Sequence, residues 1–424
     1  MGLSRRRFQN LIVDSPHMGV KWLRSVDLTA QLFGNTAART PSTIGDGSDS
    51  AQVQHHSTSQ TWAAGSSNPK KNAQAAAADF KMERIRLPRP IFRFQATNEL
   101  QRYVINCFPL SDRKTLWTDH TGRTFLYDPD MCRLAFVPDL HKPKSRPISL
   151  FIPSADDPSG GGGSLYVMEN KIEPELADGT ELSDQFEVFV CGKPTRTSDS
   201  ERPWQCQLLP PPPFVRDRAC WFPSPQITSY AVVGSDICIS IKCNATTKCN
   251  ATTNKCKCNG TAYCLDTATN DTWLQLGNGT PLSSFGGKVE YVPELKLWFG
   301  LFNDTWPLLA AADLSATSMM DSQSQPQLIG DWKEFEPPEG WVECFDPQLV
   351  NLGSGRFCIA RFLDSTITTD GDRIMLYRIA VFTGVEVMPV NVHDGSGNGQ
   401  VKLGMKKHKS RCHVCKGPTI DDVF

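Results

Sequence analysis

What most constrains this chain is the spacing of its apolar segments. From about residue 100 onward they are four to eight residues long, β-branched or aromatic, and bounded by Pro, Gly, Asp or Asn. That is the pattern of strands set off by turns. No apolar stripe of helical period persists over twelve residues, so doubly wound and helical folds are disfavoured. The strands group in fours: 103–109, 114–118, 123–128 and 133–138; 148–152, 164–168, 186–190 and 204–209; 227–233, 237–241, 262–266 and 272–276; 288–292, 297–302, 308–313 and 332–335; 349–352, 357–362, 374–381 and 385–390. A repeating unit of about 45–55 residues with four strands predicts an all-β fold, a β-propeller built of such blades.

Segments 8–13, 20–27 and 82–87 supply three strands of a further blade, and the alternation of Val401, Leu403 and Met405 predicts the fourth. Six four-stranded blades are therefore expected, closed by strands from both ends of the chain so that no open edge remains. Residues 34–79, poor in large hydrophobes and rich in Ser, Thr, Ala, Gly, Gln and Asn, predict a disordered insertion. The organisation expected is thus 1–33 as N-terminal strands, 34–79 as the insertion, 80–405 as the propeller and 406–424 as a basic Cys/His tail. Three places repeat an apolar residue, Asp, and a nearby hydroxyl and Ala: Val26 to Ala30, Leu265 to Ala268 and Ala312 to Ala316. Asp and Ser/Thr side chains bond back to the main chain, so these predict turns, not catalysis.

Composition removes several function classes. The 44 Lys and Arg against 45 Asp and Glu leave a net charge of -1, which gives no field for nucleic acid or anionic membrane. No apolar run is long enough to span a bilayer. The N-terminus is basic but has no apolar segment behind it, so an intracellular location, cytoplasmic or nuclear, is expected, with reduced thiols. Cys107, Cys191, Cys238, Cys264 and Cys358 sit in apolar alternations and are expected to be inert core thiols.

Tyr263 to Trp273 resembles the Tyr-x-x-Asp and Trp half of a kelch-type blade, although no blade shows the Gly-Gly pair that usually closes the kelch second strand. More extended likeness lies in Arg5 to Asp14, Gln207 to Pro213, Gly287 to Gly300 and Asn351 to Phe362. These are similar to a plant family expanded in grasses, the domain of unknown function 1618, over most of the chain outside 34–79 and 242–261. The resemblance implies a kelch or F-box-associated style propeller and transfers no catalytic residues. The N-terminal helical segment of an F-box is not found.

Two thiol clusters have metal-ligand character. Cys243, Cys249, Cys256 and Cys258 number enough for tetrahedral zinc, but their spacings are not those of paired knuckles, and the tandem Lys-Cys-Asn-Ala-Thr-Thr copies read as an expanded loop. His408, Cys412, His413 and Cys415 include one C-x2-C without a matching pair, so the tail is expected to fray. No metal or cofactor is expected. Nor is a Ser or Cys placed with a His base and a carboxylate, and the chain is expected not to be an enzyme. In a propeller the loops joining fourth to first and second to third strands share one face. There lie the segment His141 to Arg146, then Phe214, Arg216, Arg218, Trp221 and Phe222, then Trp341. Aromatic and Arg residues in loops have hot-spot composition, so the expected function is a monomeric module that binds a protein partner. The alternative is a metal-binding or redox-sensing protein, or a propeller enzyme, using residues 243–258.

Overall fold

A computed structural model describes residues 9–15, 18–34, 82–95, 105–110, 114–154, 162–176, 181–192, 204–220, 224–243, 260–302, 306–315, 318–319, 328–369, 372–393, 399–415 and 417–424. Nearly all regular structure in them is β. In chain order the elements are β1 (Gln9–Ser15), β2 (Val20–Val26), α1 (Leu28–Phe33), β3 (Glu83–Arg84) and β4 (Phe92–Gln95). Then come β5 (Asn106–Pro109), β6 (Thr115–Thr118), β7 (Thr124–Asp128), β8 (Arg133–Val137), β9 (Pro147–Pro153), β10 (Gly163–Glu169), β11 (Ser183–Cys191) and β12 (Trp204–Leu209). They are followed by β13 (Pro225–Val233), β14 (Asp236–Cys243), β15 (Thr261–Leu265), β16 (Trp273–Asn278), β17 (Phe285–Val292), β18 (Leu297–Phe302), β19 (Leu308–Ala312) and β20 (Ile329–Trp332). The last are β21 (Trp341–Gly353), β22 (Arg356–Thr369), β23 (Asp372–His393), β24 (Gly399–Cys415) and β25 (Thr419–Val423).

Three sheets have four strands, in the orders β25-β1-β2-β4, β5-β6-β7-β8 and β12-β11-β10-β9. A fourth sheet has eight, two four-stranded halves joined where Ser229–Ala231 of β13 runs parallel to Gly287–Val289 of β17. The fifth is β21-β22-β23-β24 with β3 added in parallel. Such antiparallel meanders of four make the fold all-β and propeller-like. Inner strands are buried on both faces and read as continuous apolar runs, as in Leu165-Tyr166-Val167-Met168 of β10. Outer strands such as β8 and β12 alternate with exposed positions.

The core is a series of clusters between sheets. Trp117 and Ile12 join the first two sheets, Phe108 and Phe189 the next pair, and Phe186 and Ile239 the pair after that. Phe285 and Ala262 fill the space between the halves of the large sheet, Phe299 and Phe357 link it to the fifth, and Phe382 and Leu11 bring the fifth against the first. Indole N–H groups fix these packings: Trp273 Nε1 donates to Pro210 O at 2.8 Å, and Trp298 Nε1 to Val232 O at 2.9 Å.

Four expectations change. The strand beside β1 is Thr419–Val423, whereas Val401, Leu403 and Met405 belong to β24, paired with β23. The neighbour of β2 is Phe92–Gln95, because the 82–87 segment lies against β24 instead. Segments 374–381 and 385–390 form one strand, and residues 406–415, expected in a frayed tail, continue its partner. Finally Cys238 and Cys264, expected to be reduced core thiols, form a disulfide: they face each other in the β14–β15 register with Cα atoms 4.1 Å apart. Two of the three turn motifs form turns as expected, whereas the one at Val26 to Ala30 opens a helix. Asp27 caps α1 by accepting from Ala30 N at 2.8 Å, and Asp266 and Asp313 accept from Ala268 N and Ser315 N at the same distance.

Candidate functional site

A cavity of about 1430 Å³ is bounded by residues from every sheet, including Asp14, Asn106, Ser149, Thr228, Lys288, Gln348 and Asp422. One group of its charges lies where β25 meets β1. Lys21 Nζ contacts Asp421 Oδ2 at 2.6 Å and Asp14 Oδ2 at 4.0 Å, and opposite them Lys288 pairs with Glu290 at 2.6 Å. Burial, reinforced by the Asp421 carboxylate, pushes Asp422 up to about 7. Burial also pushes up the Tyr230 phenol and the Cys107 thiol, with Asp422 adding to both.

Three connections form one loop surface. The chain between β8 and β9 carries His141–Arg146. Between β10 and β11 it carries Glu173 and Glu175, and between β12 and β13 it carries Phe214–Cys220. The last two are joined through the backbone: Glu175 N donates to Val215 O at 3.2 Å, Ile172 N to Pro225 O at 3.0 Å and Ile227 N to Asn170 O at 2.9 Å. Arg216 adds an ion pair with Glu175 at 3.7 Å, and the first connection is tied in by side chains, Lys142 lying 4.0 Å from Glu173 and 3.6 Å from Asp184 of β11.

The expected contact residues divide on this surface. Phe214 is buried, its ring centroid 5.0 Å from that of Tyr263, so it anchors the loop and presents nothing outward. Arg216 is half-buried, Arg218 is exposed, and Trp341 is half-buried against the Phe335 and Leu363 cluster. Trp221 and Phe222 lie outside the described residues, as do Cys249, Cys256 and Cys258; Cys243 is buried at the end of β14. Cys412, His413 and Cys415 are consecutive or near-consecutive positions of β24, whose pleat sends residues three apart to opposite faces, so the C-x2-C does not converge. His408 instead contacts Glu386 at 2.9 Å.

What sequence reasoning missed lies beneath the loop surface. Glu187, in the middle of β11, is wholly buried. One of its oxygens takes the Lys144 ammonium, also fully buried, which donates further to Lys142 O and Asp184 O at 2.8 Å. The other accepts from His141 N at 2.9 Å and lies 2.7 Å from His141 Nδ1 and 3.3 Å from Cys206 Sγ. Burial alone would raise the Glu187 carboxyl; the Lys144 charge, with bonds from Lys144 and His141, outweighs it and holds the group below its ordinary value. Burial and then the Glu187 carboxylate push the Cys206 thiol up, the opposite of an activated nucleophile. The only sequence signal was a Glu between Phe186 and Val188, in a strand with apolar residues on both faces.

Comparison with known proteins bears on this architecture. A family profile described as protein of unknown function (DUF1668) matches residues 6–413. The chain belongs to the DUF1668 family. The number differs from the 1618 family that the motifs resemble; common to both is a chain-length domain of unknown function. No curated protein matches this DUF1668 member. An auxiliary nutrient binding protein from Bacteroides thetaiotaomicron is similar over 72% of this chain and 61% of its own, at 9% identity and a TM-score of 0.31. The DUF1668 chain therefore spans about three fifths of that protein's length. The dihydro-heme d1 dehydrogenase NirN in complex with DHE is similar over 100% of this chain and 76% of its own, at 9% identity and a TM-score of 0.33. Likenesses at that level assign no chemistry to the chain. No helix among the described residues is long and apolar enough to cross a membrane.

Proposed function

We infer that this DUF1668 protein is a kelch-like propeller of six blades that works by holding a protein partner on its loop surface, without chemistry of its own. The six-bladed reading takes each half of the eight-stranded sheet as one blade and β25-β1-β2-β4 as the closing one. It is supported by apolar clusters that link each sheet to the next and the last to the first, and by a cavity bordered by all of them. The observation that carries the partner-binding reading is that the three connections are tied together, two by backbone hydrogen bonds and the third by the ion pairs of Lys142. Loops already fixed by Phe214 and by the Lys144–Glu187 pair lose little conformational freedom on binding. Their exposed charges are of both signs, which suits a protein rather than a nucleic acid or membrane. On this reading the protein is a monomer; its Cys238–Cys264 disulfide runs against the reducing cytoplasm or nucleus expected from the sequence.

The test is affinity purification from the source tissue with the wild type and with a Lys142→Glu, Arg146→Glu, Arg218→Glu variant, checked for unchanged secondary structure by circular dichroism. Loss of a defined partner in the variant is expected. The same partners at the same yield from both proteins would overturn the choice of this surface.

A further inference from the structure

The geometry points to a divalent metal site at His141, Glu187 and Cys206, for a borderline-soft ion of the zinc type. Their ligand atoms lie within 4.8 Å of one another, and they alone among the described residues converge in this way. The separations are 2.7 Å from His141 Nδ1 to Glu187 Oε2, 3.3 Å from Glu187 Oε2 to Cys206 Sγ and 3.9 Å from Cys206 Sγ to His141 Nδ1. Ligands of a tetrahedral zinc, with bonds of about 2.0–2.3 Å, stand roughly 3.3–3.7 Å apart. The triangle therefore needs to open at one edge and tighten slightly at another, adjustments within the reach of side-chain rotation.

Two of the three ligands sit on paired strands. Phe189 of β11 faces Cys206 of β12, which places Glu187 and Cys206 within one diagonal of the same ladder. The carboxylate is aimed by its surroundings: Lys144 holds Oε1, leaving Oε2 directed at the imidazole and thiol. An outer group that fixes a ligating oxygen is a regular part of metal sites. His141 is 45% exposed on its side chain, so an ion can enter from solvent and keep a fourth position for water or a ligand from outside. One nitrogen, one sulfur and one carboxylate oxygen suit zinc or cobalt(II) and not magnesium or calcium.

The proton balance is definite. The Cys206 thiol gives up its proton to solvent as the sulfur–metal bond forms. The imidazole coordinates through Nδ1 with its proton on Nε2. The thiol thus gives up one proton per ion bound, and the apparent association constant rises with pH while the thiol remains protonated in the free protein.

Metal-free, reduced, full-length protein titrated with cobalt(II) tests the site. One equivalent is expected to produce a thiolate-to-cobalt absorption in the near ultraviolet together with tetrahedral visible bands, both abolished by excess zinc. Cys206→Ser should remove the near-ultraviolet band, whereas Cys249→Ser, Cys256→Ser, Cys258→Ser combined should leave it unchanged. Should Cys206→Ser fail to fold, X-ray absorption of the zinc-loaded wild type decides: one sulfur with two or three nitrogen or oxygen neighbours supports the site. No stoichiometric band, a band that survives in folded Cys206→Ser protein, or a shell of three or four sulfurs overturns it.

Discussion

Arg361 Nε donates to Glu334 Oε1 at 2.5 Å, and its Nη2 reaches the other carboxylate oxygen at 3.2 Å, with both side chains sealed from solvent. The same guanidinium donates to Glu343 at 2.6 Å and to Pro307 O at 2.5 Å, and lies 4.2 Å from the Trp306 ring centroid. One side chain of β22 thus ties together β21, the segment after β20 and the segment before β19.

Arg361→Met leaves Glu334 buried without its counter-ion. We expect a loss of about 3–5 kcal/mol, read from the urea midpoint at constant slope. Arg361→Lys should recover only part of it, since an ammonium cannot span both oxygens. A midpoint unchanged by Arg361→Met would contradict this role.

Removing residues 419–424 strips β25 from β1 and uncovers Leu11 and Val13, which pack with Ile420 and Val423. The truncated protein is expected to melt at a lower temperature and to associate in size-exclusion chromatography, because β1 becomes an open edge. A monomer with the wild-type melting temperature would contradict this role of β25.

Asp422 gives stability a pH dependence of definite sign. Its folded-state value of about 7 lies above the ordinary 3.8, so the native state holds the proton more tightly than the unfolded chain. This contribution is full below the ordinary value and is lost as pH rises through the folded one. Asp422→Asn should therefore flatten the stability profile between about pH 4 and 7 and raise stability at pH 8. The expected gain is about 1–2 kcal/mol, discounted because the group borders an open cavity. Denaturant titrations across that range check it, and an unchanged slope would argue against it.

The Cys238–Cys264 bond closes a loop with a sequence separation of 26. Non-reducing peptide mapping should recover the two residues in one linked fragment. Cys238→Ala with Cys264→Ala, or reduction of the wild type, should lower stability by about 2–4 kcal/mol. Two separately alkylated cysteines in unreduced protein would contradict the pairing.

Most strands between residues 105 and 312 were legible because each carries its own alternation and its own bounding turn: Trp204–Leu209 and Leu297–Phe302 fall where the sequence alone puts them. The failures have separate causes. Gly384 reads as a break within residues 374–390, but it remains in β23 because Leu32 and Phe33 of α1 pack where a side chain would stand, 2.9 and 3.1 Å from an added Cβ. β25 was missed because it has only Ile420 and Val423 to bury, its two Asp side chains facing the cavity. Phe92–Gln95 was hidden behind Pro88 and Pro90, which look like loop.

The site was less legible than the fold. His141 lay in a loop already singled out, but its partners come from 46 and 65 residues farther on, a proximity set by sheet packing and invisible to local pattern. Phe214 was misread in the opposite direction: an aromatic residue in a Pro-rich loop has the composition of a contact residue, and only burial tells an anchor from an exposed ring.

Lys21 and Asp421 meet across 400 residues of chain. During translation β1 and β2 are made long before β25, and their sheet is whole only once β25 has followed. A chain stopped before β25 would keep its other sheets yet present β1 as a bare edge, a mark for chaperones and proteases.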